Sequence, residues 1–286
     1  MPKSSVAAVQ INKVTSPATG ETPFIHGEAT DQLAVEEPLE IRIVYGDENK
    51  RQQKSIAVTM CTPGNDLELA NGFLFTEGII KCKEDILGTQ YFNPGKTNDN
   101  IVFVELQPGI SFDLKKIERH FYTSSSCGVC GKSSIAAVKN QFDEQPVTDN
   151  IKIDASVFID LPASLRKQQE IFEYTGGLHA SALFDLTGKL LLTREDIGRH
   201  NALDKLIGAS LIAGDLPLNG HILLLSGRAS FELIQKAAMA GIRIVCAVGA
   251  PSSLAVEMAE ELDITLIGFL RDKRFNIYSG AQRIAL

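Results

Sequence analysis

The sequence predicts an α/β protein in which a three-layer main domain follows a smaller α+β domain. Two observations predict the main domain: strands and helices alternate through the second half of the chain, and the strands there are almost entirely apolar. Runs such as residues 221–225 and 242–248 are typical of strands that helices cover on both faces. We therefore expect parallel strand pairing in the main domain.

The first part of the chain does not show this regular alternation of strands and helices. Residues 1–24 are polar and rich in Ser and Thr, which predicts a flexible arm, and residues 25–121 are expected to form the small α+β domain. Asp66 is the expected cap of its first helix. The elements predicted here are strands Leu39–Tyr45, Ser55–Cys61 and Ile101–Leu106, and helices Leu67–Thr76 and Leu114–Tyr122.

The main domain is expected to span residues 122–286, with the boundary near Phe121. Its predicted helices are Val157–Glu173, Asn201–Ile212, Ser230–Ala240 and one from Ser252 or Ser253 to Leu262. Its predicted strands are Ser181–Asp185, Lys189–Thr193, His221–Leu225, Ile242–Ala247 and Ile264–Phe269.

The composition argues against a nucleic-acid-binding, membrane-spanning or disulfide-rich secreted protein. The 286 residues carry a net charge of −7, so there is no general basic field to attract nucleic acid or an anionic membrane. No apolar run reaches the length of about 18 residues that a transmembrane helix needs. The five cysteines are an odd number without a framework spacing, which suits a reducing compartment. We expect a soluble cytoplasmic protein.

A loop at residues 123–132, TSSSCGVCGK, holds the most chemically suggestive pair, Cys127 and Cys130. This spacing lets both sulfurs meet a metal ion, each other, or a sulfur atom in transit. A hydrolytic zinc site of the deaminase type needs a glutamate two residues after its histidine, and Ser181 stands there after His179. A thioredoxin-like pair would stand after a strand at the start of a helix, whereas this pair lies in a Ser/Gly loop. The third possible chemistry is sulfur transfer through a persulfide, and the alternative is that the two loop cysteines have no function.

Several glycine-rich polar segments border the predicted strands. Gly176, Gly177 and His179 come directly before one strand, and residues 226–228 (Ser-Gly-Arg) follow another. In parallel sheets ligands bind beyond the carboxyl ends of the strands, and residues 194–201, 226–228 and 250–253 each follow a strand, so we expect a site for phosphate or pyrophosphate at these ends. The glycines before the other strand permit close approach of a ligand to the backbone. The alternative is an internal ion-pair network among the charged residues, which for Asp196 and Asp204 has equal weight. No metal site is predicted.

The end of the last predicted strand adds a cationic turn. Arg271, Lys273 and Arg274 could clamp a phosphate while Phe269 or Phe275 stacks on a flat ring. A solvated turn is the alternative.

These segments together resemble the FdhD family, the formate dehydrogenase accessory sulfurtransferases. The resemblance runs from Glu37 to the C-terminus. Its motifs are residues 60–64 (MCTPG), 72–78 (GFLFTEG), 126–132 (SCGVCGK), 175–180 (TGGLHA), 194–201 (REDIGRHN), 226–228 (SGR) and 274–278 (RFNIY).

The resemblance implies a sulfur carrier that is loaded by a cysteine desulfurase. Cys127 would hold the persulfide with Cys130 as its helper, and the sulfur would pass to the molybdenum bis(molybdopterin guanine dinucleotide) cofactor before formate dehydrogenase receives it. It also implies a cytidine-deaminase-like fold and a homodimer. The segment it implies for binding this cofactor is Phe269, Leu270, Arg271, Asp272, Lys273 and Arg274, which joins the residues expected above, Gly176, Gly177, His179, Ser226, Gly227 and Arg228. A chaperone that delivers the cofactor without transferring sulfur is the alternative.

Overall fold

A computed structural model describes residues 4–16, 24–92, 100–110, 112 and 151–286, which form a mixed α/β structure with several sheets. Its strands are β1 Val6–Thr15, β2 Ile25–Ala34, β3 Glu37–Tyr45, β4 Gln52–Cys61, β5 Ile86–Tyr91, β6 Ile101–Leu106, β7 Ile153–Asp154, β8 His179–Asp185, β9 Leu190–Asp196, β10 His221–Leu225, β11 Ile244–Ala247, β12 Thr265–Arg271, β13 Arg274–Ser279 and β14 Ile284–Ala285. Its helices are α1 Asp66–Thr76, α2 Ala155–Ile159, α3 Leu161–Arg166, α4 Glu170–Thr175, α5 Arg199–Ala213, α6 Phe231–Met239 and α7 Ser253–Glu261.

The largest sheet has six strands in the order β13-β12-β11-β10-β8-β9. Only its three central strands pair in parallel, because β8, β9 and β13 run antiparallel to their neighbours. The expectation of parallel pairing is therefore wrong at both edges. The connections explain this result: residues 186–189 join β8 to β9, and two residues join β12 to β13. Connections this short make hairpins and cannot make a crossover.

Hydrophobic clusters cover both faces of this sheet. Helices α5, α6 and α7 supply one cluster, and α2 and α3 supply the other, which includes Phe158 and Leu161. The single helix predicted over residues 157–173 is in fact three short helices. Pro162 explains one break, since it lacks the N–H that a continuing helix would donate and stands in the first turn of α3.

The first part of the chain forms a four-stranded sheet, β4-β3-β6-β5, and a separate hairpin of β1 and β2. The structure differs from the predicted arm over residues 1–24, since β1 pairs with β2 along its whole length, from Val6 opposite Ala34 to Thr15 opposite Ile25. Main-chain hydrogen bonds hold this largely exposed strand, which contains no buried residue although six of its ten residues are apolar. The predicted helix at residues 114–122 and the domain boundary near residue 121 lie outside the described residues.

Helix α1 joins the two sheets by packing directly on α5. A Cβ on Gly72 would overlap the carbonyl oxygen of Asp204 and lie 2.8 Å from the backbone nitrogen of Gly208. The two helices therefore touch backbone to backbone, which only glycine permits. The cap of α1 also differs from the prediction: Asn65 occupies the cap position in the left-handed region, and Asp66 accepts a hydrogen bond from the backbone of Gly64 at 3.0 Å.

This contact creates one continuous core. Apolar residues of the four-stranded sheet and of the six-stranded sheet belong to the same buried cluster. A buried ion pair lies beside it, where Lys236 Nζ is 2.9 Å from Asp204 Oδ2 and donates to Thr76 Oγ1 at 2.8 Å. Asp204 is thus part of the internal network between α1, α5 and α6.

Adding one methyl group at this contact tests its importance. We expect Gly208→Ala to lower the free energy of unfolding by about 3 kcal/mol or more, because the new Cβ meets backbone atoms of α1 that cannot move independently. Thermal and urea denaturation of the purified variant measure this loss. Gly220→Ala is the control, since its Cβ would meet nothing within 4 Å. Equal stability of the two variants would contradict the proposed packing.

Candidate functional site: a cleft at the carboxyl edge of the six-stranded sheet

The polar segments predicted from the sequence meet at one edge of the six-stranded sheet. Strands β10, β11 and β12 end there, and β8, which is antiparallel to β10, begins there with His179. Main-chain hydrogen bonds continue across this edge: the N–H of Gly249 donates to Gly227 at 2.9 Å, and the N–H of Phe269 donates to Gly249 at 3.0 Å. The segments that follow the strands are therefore held at fixed distances from one another.

A cleft of about 790 Å³ opens at this edge. Six of the predicted binding residues line it: Gly176, Gly177, His179, Ser226, Arg271 and Asp272. The opposite wall comes from α3 and α4 and carries Arg166, Gln169 and Phe172. The cleft is large enough for a nucleotide-sized ligand.

The other six predicted binding residues lie beside the cleft and not on its wall. Leu270 is 1% exposed and packs in the core, so its side chain is not available to a ligand. Arg228 and two residues of the cationic turn have exposed side chains. The six are Gly227, Arg228, Phe269, Leu270, Lys273 and Arg274.

The position of His179 depends on two small neighbours. A Cβ on Gly227 would lie 3.1 Å from Nδ1 of His179, so a larger residue would push the imidazole aside. Ser226 Oγ accepts a hydrogen bond from the N–H of Ala180 at 2.8 Å and ties the two segments together. Burial lowers the pKa of His179, and the positive charge of nearby Arg199 lowers it further. The imidazole is therefore neutral at pH 7 and can either donate or accept a hydrogen bond.

The turn after Gly268 directs two charged side chains to the cleft. A bulge interrupts the pairing of β12 with β13, and Phe269 (φ 53°) and Asp272 (φ 54°) adopt the left-handed conformation. A bulky residue in this region carries strain that the surrounding contacts must hold. The irregular backbone places Leu270 in the core and Arg271 on the cleft wall. Bulges often redirect side chains at functional sites in this way.

Arg271 is well suited to meet an anion. Its Nε is 3.9 Å from Asp272 Oδ2, and its side chain is 53% exposed. An ion pair this long and this exposed contributes little, so the guanidinium can exchange it for a phosphate. Its guanidinium carbon also lies 5.9 Å from the centroid of the Phe269 ring.

Comparison with known proteins places the chain in a family. The sequence model described as the FdhD/NarQ family matches residues 34–285. The chain belongs to the FdhD/NarQ family. This confirms the resemblance that the motifs carried, including the segments that border the cleft.

Relatives match over nearly the whole chain. The chain is 47% identical to the sulfur carrier protein FdhD of Streptomyces coelicolor over 90% of each chain. It is 46% identical to the protein of that name from Thermoplasma volcanium over 98% of this chain and 99% of the relative. A crystal structure described as a formate dehydrogenase accessory protein from Desulfotalea psychrophila has the same fold, with a TM-score of 0.70 and 23% identity over 97% of this chain and 99% of that one.

The 194–201 motif contributes buried polar contacts to the protein's interior. Asp196 is 0% exposed and lies 2.7 Å from Lys205 Nζ, and its other oxygen accepts from the amide of Asn201 at 3.2 Å. The same carboxylate accepts from the N–H of Thr62, in the 60–64 motif. For Asp196 and Asp204 the internal-network alternative is therefore correct.

Glu195 points to the opposite face of β9 and contacts the start of α4. Its carboxylate accepts hydrogen bonds from the N–H groups of Ile171 and Phe172, both at 3.2 Å. It thereby holds the first turn of α4 and fixes the far wall of the cleft. Sequence reasoning missed the wall residues Arg166, Gln169 and Phe172, because the stretch reads as one amphipathic helix. The available signal was Phe172, an aromatic residue four positions before the Gly176-Gly177 pair.

Cys127 and Cys130 lie outside the described residues. Among the cysteines that the structure describes, Cys61 and Cys246 are buried and Cys82 is exposed. Burial, together with the charge of Asp196, raises the pKa of Cys61 to about 12. Burial alone raises the pKa of Cys246, and slight burial and a hydrogen bond that the thiol donates to the Glu84 carboxylate raise that of Cys82. Protonated thiols are weak nucleophiles, so these three are poorly suited to sulfur chemistry at neutral pH.

Two further features concern the described residues. They contain no group of three or more His, Cys, Asp or Glu side chains that could hold a metal ion. No helix among them is both long and apolar enough to cross a membrane.

Alkylation tests the assignment of unreactive thiols. We expect iodoacetamide at pH 7.5 to leave Cys61 and Cys246 unmodified in the folded protein, since both are buried and protonated. Peptide mass spectrometry of the folded sample, against a sample alkylated in urea, measures the protection of each cysteine. Modification of either residue at the rate seen in urea would contradict the assignment.

Proposed function

We propose that this protein is a sulfur carrier whose Cys127 takes sulfur from a cysteine desulfurase as a persulfide. It then transfers the sulfur to its substrate, the molybdenum bis(molybdopterin guanine dinucleotide) cofactor of formate dehydrogenase. The observation that carries the proposal is the near full-length similarity to relatives named sulfur carrier protein FdhD. The cysteine loop at residues 123–132 supplies the pair of thiols that such a reaction needs.

Loading is a thiol exchange without net oxidation. The Cys127 thiolate attacks the outer sulfur of a cysteine persulfide on the desulfurase, the S–S bond of the donor breaks, and the donor cysteine leaves as a thiolate. One S–S bond forms as another breaks. Cys127 then carries the sulfur as a persulfide.

Release needs two electrons, and Cys130 can supply them together with Cys127. The Cys130 thiolate attacks the inner sulfur of the persulfide, a Cys127–Cys130 disulfide forms, and hydrosulfide leaves toward the metal of the substrate. A thiol reductant then reopens the disulfide for the next cycle. This step gives each of the two cysteines a separate role.

The cleft supports the choice of substrate. Arg271 lies on its wall in the exposed, weakly paired state that suits a phosphate group, with further cations of the same turn next to it. Gly176 and Gly177 permit close approach of a ligand to the backbone. A nucleotide-bearing cofactor offers both phosphates and a flat ring to such a cleft.

The proposal extends to the setting of the protein. It acts in the cytoplasm as a homodimer without a resident metal ion, and its larger sheet has the layering of cytidine deaminases. It is a sulfurtransferase that meets a cysteine desulfurase before the cofactor is passed to formate dehydrogenase.

Mass spectrometry tests the loading step. The protein is incubated with a cysteine desulfurase and cysteine, and its intact mass is recorded before and after dithiothreitol. We expect a gain of one sulfur atom that dithiothreitol reverses and that Cys127→Ala abolishes. Cys82→Ala is the matched control, because Cys82 is an exposed cysteine outside the loop and should leave loading unchanged.

Loading that survives in Cys127→Ala would contradict the assignment of the carrier. No sulfur gain in the wild-type protein, with a desulfurase shown to be active, would contradict the carrier function and favour a cofactor chaperone.

A further inference from the structure

His179 is a titratable side chain on the cleft wall that takes no part in the loading and release steps. It stands at the start of β8 and lines the cleft beside Gly177 and Ser226. Its ring nitrogens have no hydrogen-bond partner in the described part of the chain. The imidazole can therefore bond directly to a ligand in the cleft.

The nearby His200 differs from His179 in this respect. Its Nε2 lies 2.8 Å from a carboxylate oxygen of Glu232 and 3.4 Å from Ser230 Oγ. Its side chain also does not line the cleft. Of these two histidines, only His179 can meet a ligand there.

The imidazole of His179 has a defined position. Its backbone pairs with Asp196 of β9, and the next residue donates its N–H to Ser226 Oγ at 2.8 Å. Nδ1 lies directly over Gly227, 3.1 Å from the point where a Cβ would stand. A group that transfers protons must be held within hydrogen-bond reach of the reacting atoms, and these contacts fix the ring on the cleft wall.

The surrounding charges suit a group that accepts a proton and then releases it. Burial lowers the pKa of His179 most, Arg199 lowers it next, and the carboxylate of Asp196 opposes them. Neutral imidazole is therefore the main form at pH 7, and its protonated form gives up a proton readily. The charged or titratable groups that face His179 from the adjoining elements and across the cleft are Asp196, Arg199, His200, Arg228, Arg166, Arg271 and Asp272.

Transfer of sulfur to the metal of the substrate moves a proton as well. In this step the hydrosulfide released from Cys127 replaces an oxygen ligand on the metal. The S–H and metal–oxygen bonds break, a metal–sulfur bond and an O–H bond form, and the oxygen leaves as hydroxide. No electrons are gained or lost. A positioned group that takes the proton from sulfur and gives it to oxygen lowers the barrier to this exchange.

We propose that His179 is a catalytic residue that carries this proton from the incoming hydrosulfide to the departing oxygen of the substrate. A neutral ring nitrogen accepts the proton of the hydrosulfide, and the imidazolium then donates it to the oxygen. This inference rests on the proposed function for the identity of the substrate, and on the geometry of the cleft for the residue.

Single-turnover sulfur transfer by the full-length protein tests this role. The protein is loaded with labelled sulfur by a cysteine desulfurase, separated from it and mixed with the oxygen-liganded cofactor, and the labelled cofactor is counted over time. His179→Gln keeps hydrogen-bonding groups on the cleft wall but cannot carry a proton. We expect this variant to load sulfur and bind the cofactor as the wild-type protein does, and to transfer the sulfur about 100-fold more slowly.

The pH dependence separates proton transfer from a structural role. The pKa of His179 lies below its ordinary value of 6.5. The ratio of the wild-type rate to the His179→Gln rate should be largest above this pKa and should fall as the pH decreases through it, because protonated imidazole cannot accept a proton.

His221→Gln is the matched control. His221 begins β10, at the opposite edge of the sheet from Ser226, and does not line the cleft. This variant should load and transfer sulfur at the wild-type rates.

Three results would overturn the inference. The first is a His179→Gln protein that transfers sulfur at the wild-type rate. The second is a loss of rate that is the same at every pH, and the third is a loss that weaker binding of the cofactor accounts for; either would make His179 a structural or binding residue. Wild-type protein that fails to load or transfer sulfur would contradict the carrier function itself and this inference with it, so the two failures can be told apart.

Discussion

The backbone contact between α1 and α5 at Gly72 and Gly208 is the constraint on which the rest of the structure depends. It brings a helix of the four-stranded sheet against a helix of the six-stranded sheet with no side chain between them. This close approach brings apolar residues of both sheets into one buried cluster and places Asp204 beside Lys236 and Thr76. Because the contact is steric, it fixes the relative position of the sheets more sharply than apolar burial alone could.

Strand β9 contacts both the shared core and the wall of the cleft. Successive residues of a strand point to opposite faces of the sheet, and three neighbours use this alternation for different purposes. Arg194 binds Glu68 of α1 with an N–O distance of 2.8 Å, and Asp196 holds the buried Lys205. Glu195, between them, points the other way and anchors the first turn of α4. The strand therefore connects the apolar core on one face with the wall of the candidate cleft on the other.

The sequence predicted best those features that depend on local pattern. Alternation or continuous apolar character identified strands such as β3 and β10. The meeting of Ser226 with the start of β8 was not predictable in this way, because it depends on β8 running antiparallel to β10. Features set by distant contacts were not visible. Gly72 and Gly208 look like ordinary helix glycines until the fold brings them together, and the strand β1 depends on a hairpin partner and not on burial. Gln169 was missed for a similar reason, since it lies on the cleft wall between α3 and α4, where the sequence predicted one continuous helix.

The central claim, that sulfur moves through this protein to the cofactor, is tested most directly by following labelled sulfur. Cysteine carrying radioactive sulfur, an active desulfurase, this protein, the cofactor and apo-formate dehydrogenase are combined. The label on the cofactor is counted after separation, and the activity of formate dehydrogenase is measured. We expect label to reach the cofactor with wild-type protein and to stop at Cys127 when Cys130 is replaced by alanine. Formate dehydrogenase that becomes active while its cofactor stays unlabelled would contradict sulfur transfer and identify the protein as a carrier of the cofactor alone.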